Sequence, residues 1–164
     1  MTIFELSLML SILLCSLVAG FLFAYAIVIM PGLKQLDDKQ FILSFQVTDS
    51  VIQNNHPVFL LVWIGSAVAL LVCAIYGLSE LPGINLYLLI LATLAYIIGV
   101  QALTIAIHLP LNNRLQTLDV ASMQEAVLNS ERSEFESRWN RANSIRTIIA
   151  CLVTALLIIL AIRI

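Results

Sequence analysis

Long apolar runs alternate along this chain with short stretches that collect nearly all of its charge. No Asp, Glu, Lys or Arg lies between Glu5 and Lys34, between Asp49 and Glu80, between Glu80 and Arg114, or between Arg146 and Arg163. A hydrocarbon core of roughly 30 Å takes about 20 apolar residues of helix to cross. The first three windows each hold such a run and the last a shorter one, which predicts spans near 8–30, 58–76, 84–107 and 145–162. Lipid offers the backbone no hydrogen-bond partners, so these runs are expected as helices. The expected fold class is all-α: a four-transmembrane-helix bundle forming one integral membrane domain over residues 1–164.

The segments between the runs are patterned as well. Phe41, Phe45, Thr48 and Ile52 recur at helical spacing, and no Pro or Gly intervenes between Leu33 and His56. This predicts a helix that lies on the membrane or runs into the second span. Residues 118–143 also lack Pro and Gly, with Phe135 and Trp139 four apart, so the last span is expected to begin as a stalk outside the bilayer. Both segments are expected to be amphipathic cytoplasmic helical extensions. The turn Leu81-Pro82-Gly83 at the opposite end leaves little room for a site there.

Composition agrees with this picture: 61% of residues are hydrophobic and 11% charged, outside the range of soluble domains. Lys34, Lys39, Arg114, Arg132, Arg138, Arg141 and Arg146 fall on one side of the predicted topology, against Arg163 alone on the other. The positive-inside tendency then puts both long connections in the cytoplasm and both termini outside a cell (inner) membrane. The first run, with Glu5 and no Lys or Arg ahead of it, exceeds the roughly 7–15 residues of a signal-peptide core and is expected to be retained as a helix, despite the cleavage-like Ala24-Tyr25-Ala26. A net charge of −2 without a basic patch gives no reason to expect a nucleic-acid partner. Cys15, Cys73 and Cys151 lie within predicted spans without a CxxC pair, as packing residues do, which argues against thiol redox chemistry. Four unbroken spans offer little machinery for alternating access.

The polar residues within or near the spans gather at one end. His108 closes the third predicted span, and Asn54-Asn55-His56-Pro57 opens the second at the same end. Gln101, Thr104 and His108 are spaced three and four apart, as are Trp139, Asn143 and Arg146, and Asp49, Gln53 and His56. Each set falls on one helix face, and Gln101 at mid-membrane is costly unless it faces the interior. Taken singly, these are a helix stop, an aromatic anchor and a snorkelling cation. Taken together, three segments supply uncommon residues to one side, and they predict a polar pocket at the cytoplasmic mouth. His56, His108 and Asp49 have the ligand types of a two-His-one-carboxylate metal site, and the two histidines those of a bis-histidine haem. Hydrogen-bonding histidines with no cofactor are the alternative. Gly20 and Ala24, or Gly65, Ser66 and Ala67, could permit close helix packing within the chain or in a homo-oligomer.

Gly20-Phe21 with Phe23, then Met30-Pro31-Gly32-Leu33, the exit His108-Leu109-Pro110-Leu111-Asn112, and Phe135, Trp139, Asn143 and Arg146-Thr147 follow one another over essentially the whole chain. In this order they resemble the anthrone oxygenase-like membrane family. The resemblance implies a four-helix membrane fold and, for some members, a monooxygenase that converts an electron-rich anthrone to an anthraquinone without an evident bound cofactor. Where the family has Asn before x-Pro-Leu-Asn this chain has His108, and His56 precedes the proline of span two, so titratable groups stand where the family has an amide. Under this reading His108, or His56, takes the acidic C–H proton. Asn112, Asn143 and Arg146 hold the oxyanion. Trp139 stacks on an apolar aromatic substrate arriving from the lipid bilayer, with Gln101, Asn55 and Thr104 as further contacts. The competing reading is a non-catalytic binding or accessory protein that holds a metal, haem, quinone or lipid in the same pocket.

Overall fold

Thr2 and Glu5 form a capping box: the Thr2 hydroxyl accepts from the Glu5 N–H at 3.1 Å, and the Glu5 carboxylate accepts from the Thr2 N–H at 2.9 Å. From this cap α1 runs over Ile3–Leu33. The computed structural model describes residues 2–164, and it is 88% helix without a strand among them. After α1, Asp37 caps α2 (Asp38–Gln53) by accepting from the Gln40 N–H at 2.7 Å. Pro57 sits in the first turn of α3 (Pro57–Glu80), where its missing N–H costs nothing. Gly83, at φ +58, opens α4 (Gly83–Gln116). The last and longest helix is α5 (Glu125–Arg163), 39 residues.

α1, α3, α4 and α5 are each long and apolar enough to cross a membrane, and the chain is an integral membrane protein. α1 packs on α3 and α5, and α5 packs on α4. One core of Cys15, Leu22, Leu70, Leu89, Tyr96 and Leu157 fills the space between them. A second core, where Phe41, Phe45, Leu115, Phe135 and Trp139 meet Tyr25 and Met30, joins α2 to the ends of the spans. Arg132 clamps α2 in place: its guanidinium donates to the Lys34 and Leu36 carbonyls at 2.9 and 2.8 Å and pairs with Asp38 at 2.9 Å.

Two expectations about the connections need correction. α2 does not run into the second span, because Asn55 adopts a left-handed backbone, φ +59, between the two helices and breaks them apart; asparagine tolerates this region better than most residues. The helix of the third span does not stop at Pro110, Asn112 and Asn113 either, since α4 continues to Gln116. The reason lies in the backbone just before the proline. Over Thr104–His108 the helix widens, and the Leu109 N–H returns to the Thr104 carbonyl five residues back. The wider turn accommodates the pyrrolidine ring, which would clash within an ordinary α-turn. The same device precedes Pro31, where the Met30 N–H reaches the Tyr25 carbonyl across the wide turn Tyr25–Ile29.

A third wide turn, Ile97–Ala102, lies at the level where α4 parts from α3. Up to Tyr96 α4 packs on both α3, its hairpin partner, and α5, and from Ile97 onward it packs mainly on α5. Gly99 permits the approach, for a Cβ there would come within 2.6 Å of Ile149. α3 and the second half of α4 therefore part company, and the space between them is a cavity.

Candidate functional site

The cavity has a volume of about 510 Å³, within the range of small-molecule sites. Every helix contributes to its wall. α1 supplies Phe21 and Tyr25, α2 supplies Phe45, Asp49 and Gln53, and α5 supplies Trp139 and Arg146. α3 lines it from Phe59 to Ala67 and α4 from Ile97 to Asn112. Its lining spans fifteen residues of α4, about 22 Å of ideal α-helix, and eight residues of α3, about 12 Å.

Its polar end is a chain of directed hydrogen bonds. Asp49, 2% exposed, is held by amides: Asn112 Nδ2 donates to Oδ1 at 2.8 Å, and Gln116 and Gln53 donate to Oδ2 at 3.1 and 3.2 Å. With its amide thus oriented, Asn112 offers Oδ1 to the Trp139 indole N–H at 2.9 Å. Trp139 is wedged between rings, with centroids 5.6 Å from Tyr25 and 5.8 Å from Phe45. Its indole and the His108 ring meet edge to face with centroids 5.1 Å apart, and the Arg146 guanidinium lies 5.6 Å from the Trp139 centroid, within cation–π range.

Arg146 and His108 stand apart from this satisfied network. Arg146 is 5% exposed, and no acidic side chain pairs with it among the described residues. Its Nε donates to Asn143 Oδ1 and one Nη to Thr104 Oγ1, both at 3.0 Å, which leaves other guanidinium N–H groups at the cavity. A buried cation without a counter-charge is costly, and an anionic ligand oxygen would supply what the fold omits. His108 is 2% exposed, and neither ring nitrogen has a hydrogen-bond partner in good geometry. The Leu103 and Trp139 carbonyls act on the ring electrostatically without reaching that geometry. Both nitrogens are themselves covered by protein, so the lone pair that the neutral imidazole keeps in either tautomer reaches a ligand only when a neighbouring side chain gives way.

His108, Asn112, Arg146, Trp139, Gln101, Asn55, Thr104 and Asp49 all line this one space. Gln101 meets the cost of its depth by donating across the gap to the Trp63 carbonyl at 3.2 Å. Two other residues singled out in the sequence lie elsewhere. Asn143 is buried behind Arg146, with its Nδ2 on the Leu22 carbonyl at 3.3 Å, and does not line the cavity. His56 is exposed at the start of α3, also outside the lining. His56, His108 and Asp49 therefore do not come together as a ligand set, and among the described residues no group of three or more His, Cys, Asp and Glu has metal-holding geometry.

The aromatic walls of the cavity are not among the residues that the polar pattern of the sequence marks. Phe59 and Trp63 stack at 5.6 Å with 16° between planes, and Phe21 sits edge-on to Phe59 at 5.4 Å and 4.9 Å from Tyr25. Aromatics inside an apolar run look like any other core or lipid-facing residue. The four-residue spacings Phe21–Tyr25 and Phe59–Trp63 were the available signal.

The family model described as Anthrone oxygenase matches residues 50–156, which is more than half of the chain. It covers α3, α4 and the part of α5 that carries Trp139 and Arg146, and so takes in most of the cavity wall. No curated protein and no solved structure matches the chain.

Proposed function

The chain belongs to the anthrone oxygenase family, and from this we propose that it is a membrane-embedded oxygenase that oxidises an apolar aromatic of anthrone type in the cavity between α3 and α4. The observation that carries the reading is the pairing of His108 and Arg146 around Trp139, a buried unpaired base beside an uncompensated cation at the polar end of an aromatic-walled space.

An anthrone carries a methylene group opposite a ring carbonyl, and loss of a methylene proton moves charge onto the carbonyl oxygen. His108 accepts the proton, and the unused N–H groups of Arg146 hold the enolate oxygen. The enolate carbon gives its electrons to O₂, forming a C–O bond and, once a proton returns, a hydroperoxide. Loss of the second methylene hydrogen with cleavage of the O–O bond yields the new carbonyl and one water. Carbon loses four electrons and O₂ takes up four, so the reaction balances with O₂ as the only co-substrate. The Phe59–Trp63 pair and Phe21 offer flat apolar surfaces for the rings. Trp139 serves as a pillar instead, because its faces and edges are taken up by Tyr25, Phe45, Phe135, His108 and Arg146. Asn112 is committed to the Asp49 and Trp139 bonds, and Asn143 acts through Arg146, so the oxyanion falls to Arg146.

The test is oxygen uptake by the purified protein supplied with an anthrone, with quinone formation followed by absorbance. The expected result is one quinone per O₂, with turnover lowered about 10²–10⁴-fold in His108→Ala. His108→Gln serves as a second variant that refills the buried space. Binding without turnover in the wild type would favour the non-catalytic reading.

A further inference from the structure

The polar groups occupy only one end of the cavity. His108, Asn112, Asp49, Trp139 and Arg146 cluster there, whereas the walls at Leu60, Trp63, Ile64, Ala67 and Ile97 are apolar apart from the Gln101 bridge. The apolar part is also open at the side. Ile64 on α3 and Ile105 on α4 line the cavity yet are 56% and 65% exposed, Ile105 on the stretch where α4 has parted from α3 while keeping α5. Both side chains bound the cavity and reach the outer surface of two spans, so a slot between them is the route by which the cavity would meet hydrocarbon. A tailless aromatic would leave this side opening unused.

We propose that the ligand is an amphiphile: a phenolic or anthrone-type head at His108 and Arg146, bearing an aliphatic chain that runs past Trp63 and leaves between Ile64 and Ile105 into the bilayer. The proposal rests on the oxygenase reading and specifies the substrate class of the same site. Lipid is as apolar as the slot, so the chain gains little affinity from hydrophobic transfer. What the slot provides is room, allowing a tailed head to reach the polar end while its chain stays in lipid.

The chain's only two tryptophans lie at the two parts of this path, Trp139 by the head and Trp63 along the tail, and they serve as native reporters. The full-length protein in lipid nanodiscs is titrated without oxygen, so that nothing turns over. The probes are 1,8-dihydroxyanthrone, its dodecyl derivative, and the same derivative brominated on the first carbons of the chain. Contact quenching by bromine acts over roughly van der Waals range, about 4–5 Å. The expected result is an extra loss of emission from the brominated over the unbrominated chain. This loss should vanish in Trp63→Phe and be reversed by excess tailless anthrone. The proposal is overturned if bromine adds no loss, if excess tailless head does not reverse it, or if bromododecane without a head quenches equally. Turnover of the tailless anthrone under oxygen reads the functional assignment separately. Turnover with no bromine effect sinks the tail alone, whereas a head that neither binds nor turns over sinks both.

Discussion

At the scale of single residues the site divides into side chains that are satisfied and side chains left open. Asp49, Asn112 and Trp139 form a closed relay in which each polar atom orients the next, and their task is to hold geometry. Arg146 and His108 retain unused hydrogen-bonding capacity inside the protein, which is uncommon in native structures and calls for a specific explanation. The two classes should respond differently to substitution. Arg146→Gln keeps a donor but removes the charge, and is expected to lower turnover about 10²–10³-fold, the magnitude associated with losing an oxyanion donor. His56→Ala is expected to leave steady-state kinetics unchanged, because His56 is exposed outside the cavity. Comparing kcat and KM of these two variants against wild type checks both. Equal losses from His56→Ala and His108→Ala would contradict the assignment of the base to His108.

At the scale of elements, the wide turns separate what could be read in the sequence from what could not. The four spans were legible because lipid forces apolar runs into helices and charge marks their edges. The continuation of α4 past His108 was not, since Pro110 with Asn112 and Asn113 reads as a helix stop under ordinary i→i−4 bonding. Only the wide turn Thr104–His108 lets the helix pass through. The site was legible in part for a related reason. Spacings of three and four pointed to Gln101, Thr104 and His108 on one face, but could not tell that Asn143 faces the Leu22 carbonyl rather than the cavity. The wide turns cluster at the cavity, with Tyr25, Ile97, Gln101, Thr104, Ile105 and His108 all lining it and lying within them. An inserted residue rotates everything that follows, and such turns are frequent at functional sites. Pro110→Ala restores an N–H able to bond four residues back, which favours a plain α-turn and turns His108 away from Trp139. This variant is expected to melt at the same temperature as wild type or higher while losing turnover. A thermal shift assay run beside the oxygen electrode distinguishes this outcome from general unfolding.

At the scale of the whole molecule, the cavity's polar end is also the end at which the basic residues collect. Lys34, Lys39, Arg114, Arg132, Arg138 and Arg141 belong to the half of the chain that holds α2 and the start of α5, whereas the opposite half carries Arg163 alone. If the positive-inside tendency governs insertion, that end faces the cytoplasm, and a head group bound at His108 and Arg146 sits near the inner interface with its chain in the bilayer. In that orientation the cytoplasm supplies and receives the polar part of the proposed substrate. Thiol labelling can test this, since Cys15 and Cys73 are buried and Cys151 lies within the span portion of α5. With all three replaced, a single cysteine is placed at Ser79, near the α3–α4 turn, or at Ser122, between α4 and α5. Both positions are exposed. A membrane-impermeant maleimide is expected to label Ser79→Cys in intact cells and Ser122→Cys only after permeabilisation. The reverse pattern would turn the molecule over and place the polar end of the cavity, and the chemistry proposed for it, on the outer face of the membrane.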